Sequence, residues 1–184
     1  FRRSRGLGDV YKRQTQGQTD YTDKIGDGAG VFKSIDRGSS WEQINNGLKT
    51  LETNVLVVDP NNSNTLYLGT DDDGIYKSTI GGEKWMQLNV SQISEPFGVG
   101  DIVVDPEDSN VVYLATVDYF RLAGERGALG DFGVYKSTDG GATWEDFNMG
   151  LLHPGVFSLE LNTEKRILYA GTRAGGVYWI SLDS

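Results

Sequence analysis

One short pattern, met three times along this chain, limits what it can fold into. Its fullest form is Gly133-Val-Tyr-Lys-Ser137-Thr-Asp139-Gly-Gly141-Ala-Thr143-Trp144. An earlier version reads Gly30-Val-Phe-Lys-Ser34-Ile-Asp36-Arg-Gly38-Ser-Ser40-Trp41. Between them lies Gly74-Ile-Tyr-Lys-Ser78-Thr-Ile80-Gly-Gly82-Glu-Lys84-Trp85, and a fourth start appears at Gly176-Val-Tyr178. A second motif precedes each later copy. It reads Val55-Leu-Val-Val-Asp59-Pro60 then Leu66-Tyr67-Leu-Gly69-Thr70, and recurs as Ile102-Val-Val-Asp105-Pro106 then Val112-Tyr113-Leu-Ala115-Thr116. A looser copy runs Val156-Phe-Ser-Leu159 then Leu168-Tyr169-Ala-Gly171-Thr172. Such self-similarity means one supersecondary unit that buries its apolar faces by stacking on copies of itself.

The motif tryptophans stand 44 and then 59 residues apart. Each unit divides into four antiparallel strands. Strand A is the apolar run 55–58, continuous because it is expected to be covered on both faces. Asp-Pro and the Asn/Ser cluster after it make the A–B turn. Strand B is Leu66–Thr70, strand C Gly74–Ser78, and strand D follows Trp85 through Leu88. Four strands in a period near 44 residues make the blade of a β-propeller. The fold class is therefore all-β: a propeller fragment of about four blades, two complete and two partial. Repeats lie near 30–46, 51–89, 98–148 and 155–182 within a partial propeller over 15–184. Open sheet edges at both ends suggest a truncated larger ring that needs missing blades of its own chain.

Composition agrees and excludes several functions. The 184 residues include 25 glycines, 9 tyrosines and 4 tryptophans but only 4 prolines, which suits short strands and tight turns. No cysteine is present and His153 is the lone histidine, so disulfides, thiolate chemistry and a histidine-rich metal site are not expected. No metal or other cofactor is expected. The net charge of −9 disfavours phosphate-backbone binding, and no run is long enough to span a bilayer. Residues 1–14 depart from this balance, with Arg2, Arg3, Arg5, Lys12 and Arg13 against Asp9. They lack the apolar core of a secretory signal. A basic arm is one reading. The preferred one is a non-native or disordered segment, since the stretch resembles translated sequencing-adapter read-through; the true N-terminus would then be missing.

The consensus Ser-x-Asp-x-Gly-x-Thr-Trp resembles the Asp-box, or bacterial neuraminidase, repeat family. That family includes sialidases, xyloglucan-degrading enzymes, sortilin-type receptor domains and photosystem II assembly factors. The resemblance covers residues 30–182 and implies a bacterial, extracellular or periplasmic setting. It assigns Ser34, Asp36, Gly38 and Trp41, then Ser78, Gly82 and Trp85, then Ser137, Asp139, Gly141, Thr143 and Trp144 to a C–D hairpin lock. The aspartates would accept N–H bonds across the turn, the glycines would take positive φ, and the tryptophans would bury against neighbouring strands. The second copy, with Ile80 and Lys84, would keep its Trp packing and lose the carboxylate bonds.

Antiparallel order puts A–B and C–D turns on one rim, and B–C and D–A connections on the other. Boxes mark the first rim as scaffold, so irregular loops on the second draw attention. The loops at 90–100 and 117–131 are long. Phe97, Tyr119 and Phe120 could stack on sugar rings or anchor a peptide, and Arg121, Arg126 and Arg173 could pair with carboxylates. Asp71-Asp72-Asp73 could bind calcium, but a solvated acidic turn explains it more simply. Lys33, Lys77 and Lys136 recur on strand C and are expected on an exposed face.

A glycosidase needs two carboxyl groups about 5–10 Å apart. In xyloglucan-degrading relatives an Asp in a Thr-Asp-x-Gly-Gly-like B–C turn has such a role, and Asp71 resembles that position. No sialidase motif is matched by the arginines. The expected function is a non-catalytic module binding a protein or polysaccharide through the B–C/D–A rim. The alternative is a fragment of a secreted glycoside hydrolase of xyloglucanase or sialidase type.

Overall fold

The computed structural model describes residues 10–13, 28–93, 97–117, 132–148, 150–151, 155–172 and 175–183. These form strands β1 (Val10–Arg13), β2 (Val31–Ser34), β3 (Glu42–Gln43), β4 (Thr53–Asp59), β5 (Asn62–Thr70), β6 (Ile75–Ser78) and β7 (Met86–Gln87). They continue with β8 (Gly98–Val104), β9 (Val112–Val117), β10 (Val134–Ser137), β11 (Glu145–Asp146), β12 (Val156–Asn162), β13 (Ile167–Thr172) and β14 (Gly176–Ser181). Four antiparallel sheets result: β1-β2-β3, β4-β5-β6-β7, β8-β9-β10-β11 and β12-β13-β14. The chain is a partial β-propeller. Sheets two and three carry strands A to D in sequence order, and sheet four carries A to C.

In sheet one, β1 lies antiparallel to β2 with Val10 opposite Ser34 and Arg13 opposite Val31. Val10–Arg13, from the segment read as non-native or disordered, thus occupies the place that strand B holds in the other sheets.

Three apolar layers separate the four sheets. Val31, Leu66, Leu68, Tyr76 and Trp85 fill the first. The second gathers Tyr67, Ile75, Val99, Ile102, Leu114, Tyr135 and Trp144. In the third, Tyr113, Val134, Val156, Leu159 and Leu168 meet. The A strands β4, β8 and β12 adjoin in turn. Strand B, not strand A, is the most deeply buried. Leu66–Thr70 and all of β9 are buried, whereas the middle of β4 is half-buried. In sheets two and three strand B has partners on both edges and a sheet against each face, whereas among the described residues strand A leaves one edge unpaired.

Each A strand also carries an irregularity that its apolar pattern did not announce. The register shifts between Thr53 and Val55, between Val99 and Asp101, and between Val156 and Ser158. A bulge increases local twist, which helps each A strand follow its neighbour. At Gly100, within the second bulge, an added Cβ would stand 2.1 Å from the Val156 carbonyl oxygen. Only glycine permits that approach of β8 to β12.

Candidate functional site

The three boxes follow directly from their residues. In sheet three, Asp139 Oδ1 accepts the Thr143 N–H and the Ser137 hydroxyl, each at 2.8 Å, and Oδ2 accepts the Thr143 hydroxyl at 2.6 Å. Ser137 Oγ accepts the Gly141 N–H at 2.8 Å. Sheet one repeats the set through Ser34, Asp36, Gly38 and Ser40. Hydrogen bonds from Thr143, then from Ser137, hold the Asp139 carboxyl down to about 2, and Ser40 followed by Ser34 does the same for Asp36. In sheet two Ile80 stands in place of the carboxylate, leaving the Gly82 N–H on Ser78 Oγ at 3.0 Å. Gly38, Gly82 and Gly141 all have φ near +90°, a region that side chains with a Cβ enter at a cost.

Trp85 and Trp144 are buried against the preceding sheet, while Trp41 is 36% exposed. Their polar ends differ. Trp85 Nε1 donates to the Ile44 carbonyl at 2.6 Å, whereas the buried Trp144 Nε1 has no acceptor among the described residues.

The same rim holds a second device, built on the Asp-Pro pairs. Asp59 Oδ1 accepts the N–H of Asn61 in its own A–B turn at 2.9 Å, and the hydroxyl of Ser109 in the next sheet's A–B turn at 2.8 Å. Asp105 Oδ1 accepts the Glu107 N–H at 3.0 Å and the carboxylate grips Arg166 bidentately, at 3.0 and 2.6 Å. Burial opposes ionisation of Asp105, but the Arg166 hydrogen bonds prevail and its carboxyl lies below the ordinary value. In the sequence these pairs mark only the A–B turns. The available signal was spacing, since the partners lie 50 and 61 residues downstream, about one repeat away.

Box turn and A–B turn are tied directly. The Gly81 N–H donates to the Asn64 carbonyl and the Gly140 N–H to the Asn110 carbonyl, both at 2.8 Å. The Gly140 carbonyl accepts Tyr67 Oη–H at 3.0 Å and Lys77 Nζ–H at 2.7 Å from sheet two. Lys77, expected on an exposed face, is thus half-buried with its ammonium on a neighbouring sheet. The same ammonium lies over the Tyr67 ring, 5.1 Å from its centroid, while it donates to that carbonyl.

On the opposite rim, Thr70 Oγ1 donates to the Gly74 carbonyl at 2.8 Å and accepts the Asp73 N–H at 3.0 Å, closing the B–C turn. Thr172 closes its turn in the same way with Gly176 and Gly175. The Asp71 N–H meets the Glu52 carbonyl at 3.1 Å, and the Gly74 N–H meets the Phe97 carbonyl at 3.0 Å. B–C turns and D–A connections therefore share this rim. Asp73 accepts the Tyr76 hydroxyl and, at 3.1 Å, the side-chain amide of Gln87, which receives Lys49 Nζ–H at 2.6 Å. Burial first, then the Asp73 hydrogen bond, pushes the Tyr76 hydroxyl up to about 12.

Of the residues expected to touch a ligand, Phe97 is half-buried, its ring set against Gly74 and the core between sheets two and three. Asp71 lies in the B–C turn beside Glu52. Tyr119, Phe120, Arg121, Arg126 and Arg173 lie outside the described residues, as do Glu95, Pro96 and His153. Among the described residues no group of three or more His, Cys, Asp or Glu side chains gathers as a metal site. Nor is any helix among them long and apolar enough to cross a membrane.

The family model described as Sortilin-Vps10, "Sortilin, neurotensin receptor 3", matches residues 29–176, which is most of the chain. The chain belongs to the Sortilin-Vps10 family. No curated protein matches it. Among solved structures, this Sortilin-Vps10 chain is 25% identical to an ancestral GH74 enzyme, with a TM-score of 0.68 over 94% of this chain and 21% of that one. The GH74 enzyme of Niastella koreensis gives 23% identity and a TM-score of 0.66 over 95% and 27%. YCF48 from Cyanidioschyzon merolae gives 11% and 0.62 over 99% and 50%. The last two likenesses speak for the fold alone. The chain spans about a fifth to a quarter of the GH74 proteins' length.

Proposed function

We propose that this Sortilin-Vps10 chain is part of a non-catalytic propeller module that binds a protein or a polysaccharide through its B–C/D–A rim. The reading rests on how the opposite rim uses its polar groups. Asp36, Asp139, Asp59 and Asp105 each hold a turn, and the last two also hold the adjacent sheet. Groups so engaged have little left for a ligand. The B–C/D–A rim carries the acidic turn at Asp71–Asp73, and between strands B and C of the third repeat the sequence inserts Tyr119, Phe120, Arg121 and Arg126. The matching family is described by a receptor's name, which favours binding over turnover. The test is to immobilise the chain and screen soluble β-glucans, sialosides and a peptide library. The ligand found should lose affinity with Tyr119→Ala, Phe120→Ala and Arg121→Ala combined. Undiminished binding by that variant, or binding lost only with first-rim substitutions, would sink the proposal.

A second reading, glycoside hydrolase, is favoured by the 25% identity to the ancestral GH74 enzyme and by Asp71 in its Thr-Asp-containing turn. Turnover of a β-glucan abolished by Asp71→Asn would establish that reading instead.

A further inference from the structure

Sheets one and two settle one shared position in opposite ways. Just after strand D of sheet one, Asn45 turns its amide inward over Gly30, the glycine that opens strand C. Its Oδ1 accepts the Val31 N–H at 2.7 Å and its Nδ2 donates to the Ala29 carbonyl at 3.2 Å. A Cβ added to Gly30 would run into this amide. Asn148 repeats the arrangement in sheet three, accepting the Val134 N–H at 2.7 Å above Gly133. In both sheets the amide fills a slot over the glycine and caps the first N–H of strand C.

The corresponding residue of sheet two is Asn89. It follows Leu88 as Asn45 follows Ile44, and the backbone leading to it is the same. The Leu88 N–H donates to the Ile75 carbonyl, and the Ile44 N–H to the Val31 carbonyl, both at 2.9 Å. Asn89 is nevertheless exposed, and among the described residues no bond joins it to the Ile75 N–H. The slot over Gly74 holds the Phe97 ring instead, with Cζ 2.9 Å from where a Cβ would stand. Leu51 is the counterpart of Phe97. The Gly30 N–H donates to the Leu51 carbonyl and the Gly74 N–H to the Phe97 carbonyl, both at 3.0 Å. Yet Leu51 is 38% exposed, whereas Phe97 packs on the core between sheets two and three. Sheet one thus has its asparagine in and its apolar side chain out; sheet two has the reverse on a matching main chain.

We infer that Phe97 and Asn89 are alternative occupants of one slot, which makes the Phe97 ring a retractable element of the B–C/D–A rim. Inward, the ring seals the junction of sheets two and three. Outward, it stands on the rim as Leu51 does, while Asn89 caps the Ile75 N–H. Burial of the ring favours the first arrangement and the capped N–H the second, and the two effects are of similar size. Rotamer changes at two side chains connect them, since the backbone already suits both. The outward ring offers an apolar face to a partner, a use that rests on the binding function proposed above; the exchange itself needs no ligand.

The test is amide hydrogen exchange of the full chain by NMR, with Ile75 referred to its neighbour Tyr76 so that changes in overall stability cancel. Phe97→Leu gives sheet two the same pair of side chains as sheet one, and Phe97→Ala empties the slot outright. Each folded variant should slow Ile75 exchange by about fivefold, the effect of one added hydrogen bond. Asn89→Ala placed on top of either should remove that gain. Circular dichroism confirms the fold of each variant, and Phe97→Leu, which keeps an apolar side chain, serves if Phe97→Ala does not fold. Ile75 exchange within about twofold of wild type in folded Phe97→Leu, or slowing that persists with Asn89→Ala, would overturn the inference.

Discussion

Trp85→Phe and Trp144→Phe remove equivalent atoms from equivalent places, yet they should not cost the same. Both indoles are buried, 2% and 5% exposed, so the loss of apolar contact is shared, at about 1–2 kcal/mol each. The polar ends separate them. Trp85→Phe also breaks the 2.6 Å bond from Nε1 to the Ile44 carbonyl, worth about 0.5–1.5 kcal/mol net. Ile44 is half-buried, so water can partly satisfy the freed carbonyl and the lower part of that range applies. Trp144→Phe removes an N–H that is buried without an acceptor among the described residues. Such a group costs about 1–3 kcal/mol where it stands, and its removal offsets much of the lost packing. Trp85→Phe should therefore be the more destabilising by about 2 kcal/mol, the sum of the two polar effects. The assay is urea unfolding of both variants beside the wild type, with the slope checked for constancy so that midpoint shifts report stability. With a slope near 2 kcal/mol/M, the two midpoints should differ by about 1 M. Equal midpoints, or a lower one for Trp144→Phe, would refute this account of how the box tryptophans hold the sheets.

Other expectations follow from the same structure. Asp36 and Asp139 titrate near 2 when folded and near 3.9 when unfolded. Their depressed values mean that their contribution is full above about pH 4 and is lost as pH falls toward 2. An acid titration of the melting temperature should show that loss, and Asp36→Asn with Asp139→Asn should flatten it; an unchanged acid limb would refute the link. Arg166→Ala leaves the 1%-exposed Asp105 side chain without its bidentate partner. Since Arg166 is itself 22% exposed, a cost of about 1–3 kcal/mol by urea unfolding is expected, below that of a fully buried pair. Gly100→Ala drives a Cβ into the Val156 backbone and should lower stability by more than about 1 kcal/mol. Gly155→Ala, with nothing among the described residues within 4 Å of the added Cβ, should stay within about 0.5 kcal/mol of wild type by the same measurement.

The repeat made the architecture legible because each of its elements has a local cause. Gly38, Gly82 and Gly141 take a turn that favours glycine, Ser34 with Asp36 and Ser137 with Asp139 lock it, and the apolar runs at 55–58 and 66–70 alternate with turn residues. Such interactions span a few residues, so a linear reading finds them. The candidate ligand face was legible only as a rim. Thr70 and Gly74 mark its B–C turn, but whether Phe97 points outward or packs inward depends on a sheet far away in sequence. The ring lies against Gly74 and the core, which periodicity does not encode.

By itself, then, the sequence determined the all-β class, the blade order and which rim carries the boxes, since these rest on short-range hydrogen bonds and turn geometry. Only the tertiary structure decided what the repeats do to one another. Asp105 meets Arg166 across 61 residues, and Lys77 reaches the Gly140 carbonyl from another sheet. Each needs two sheets at a fixed distance and twist. That arrangement arises from the summed packing of all the strands, and no single motif contains it.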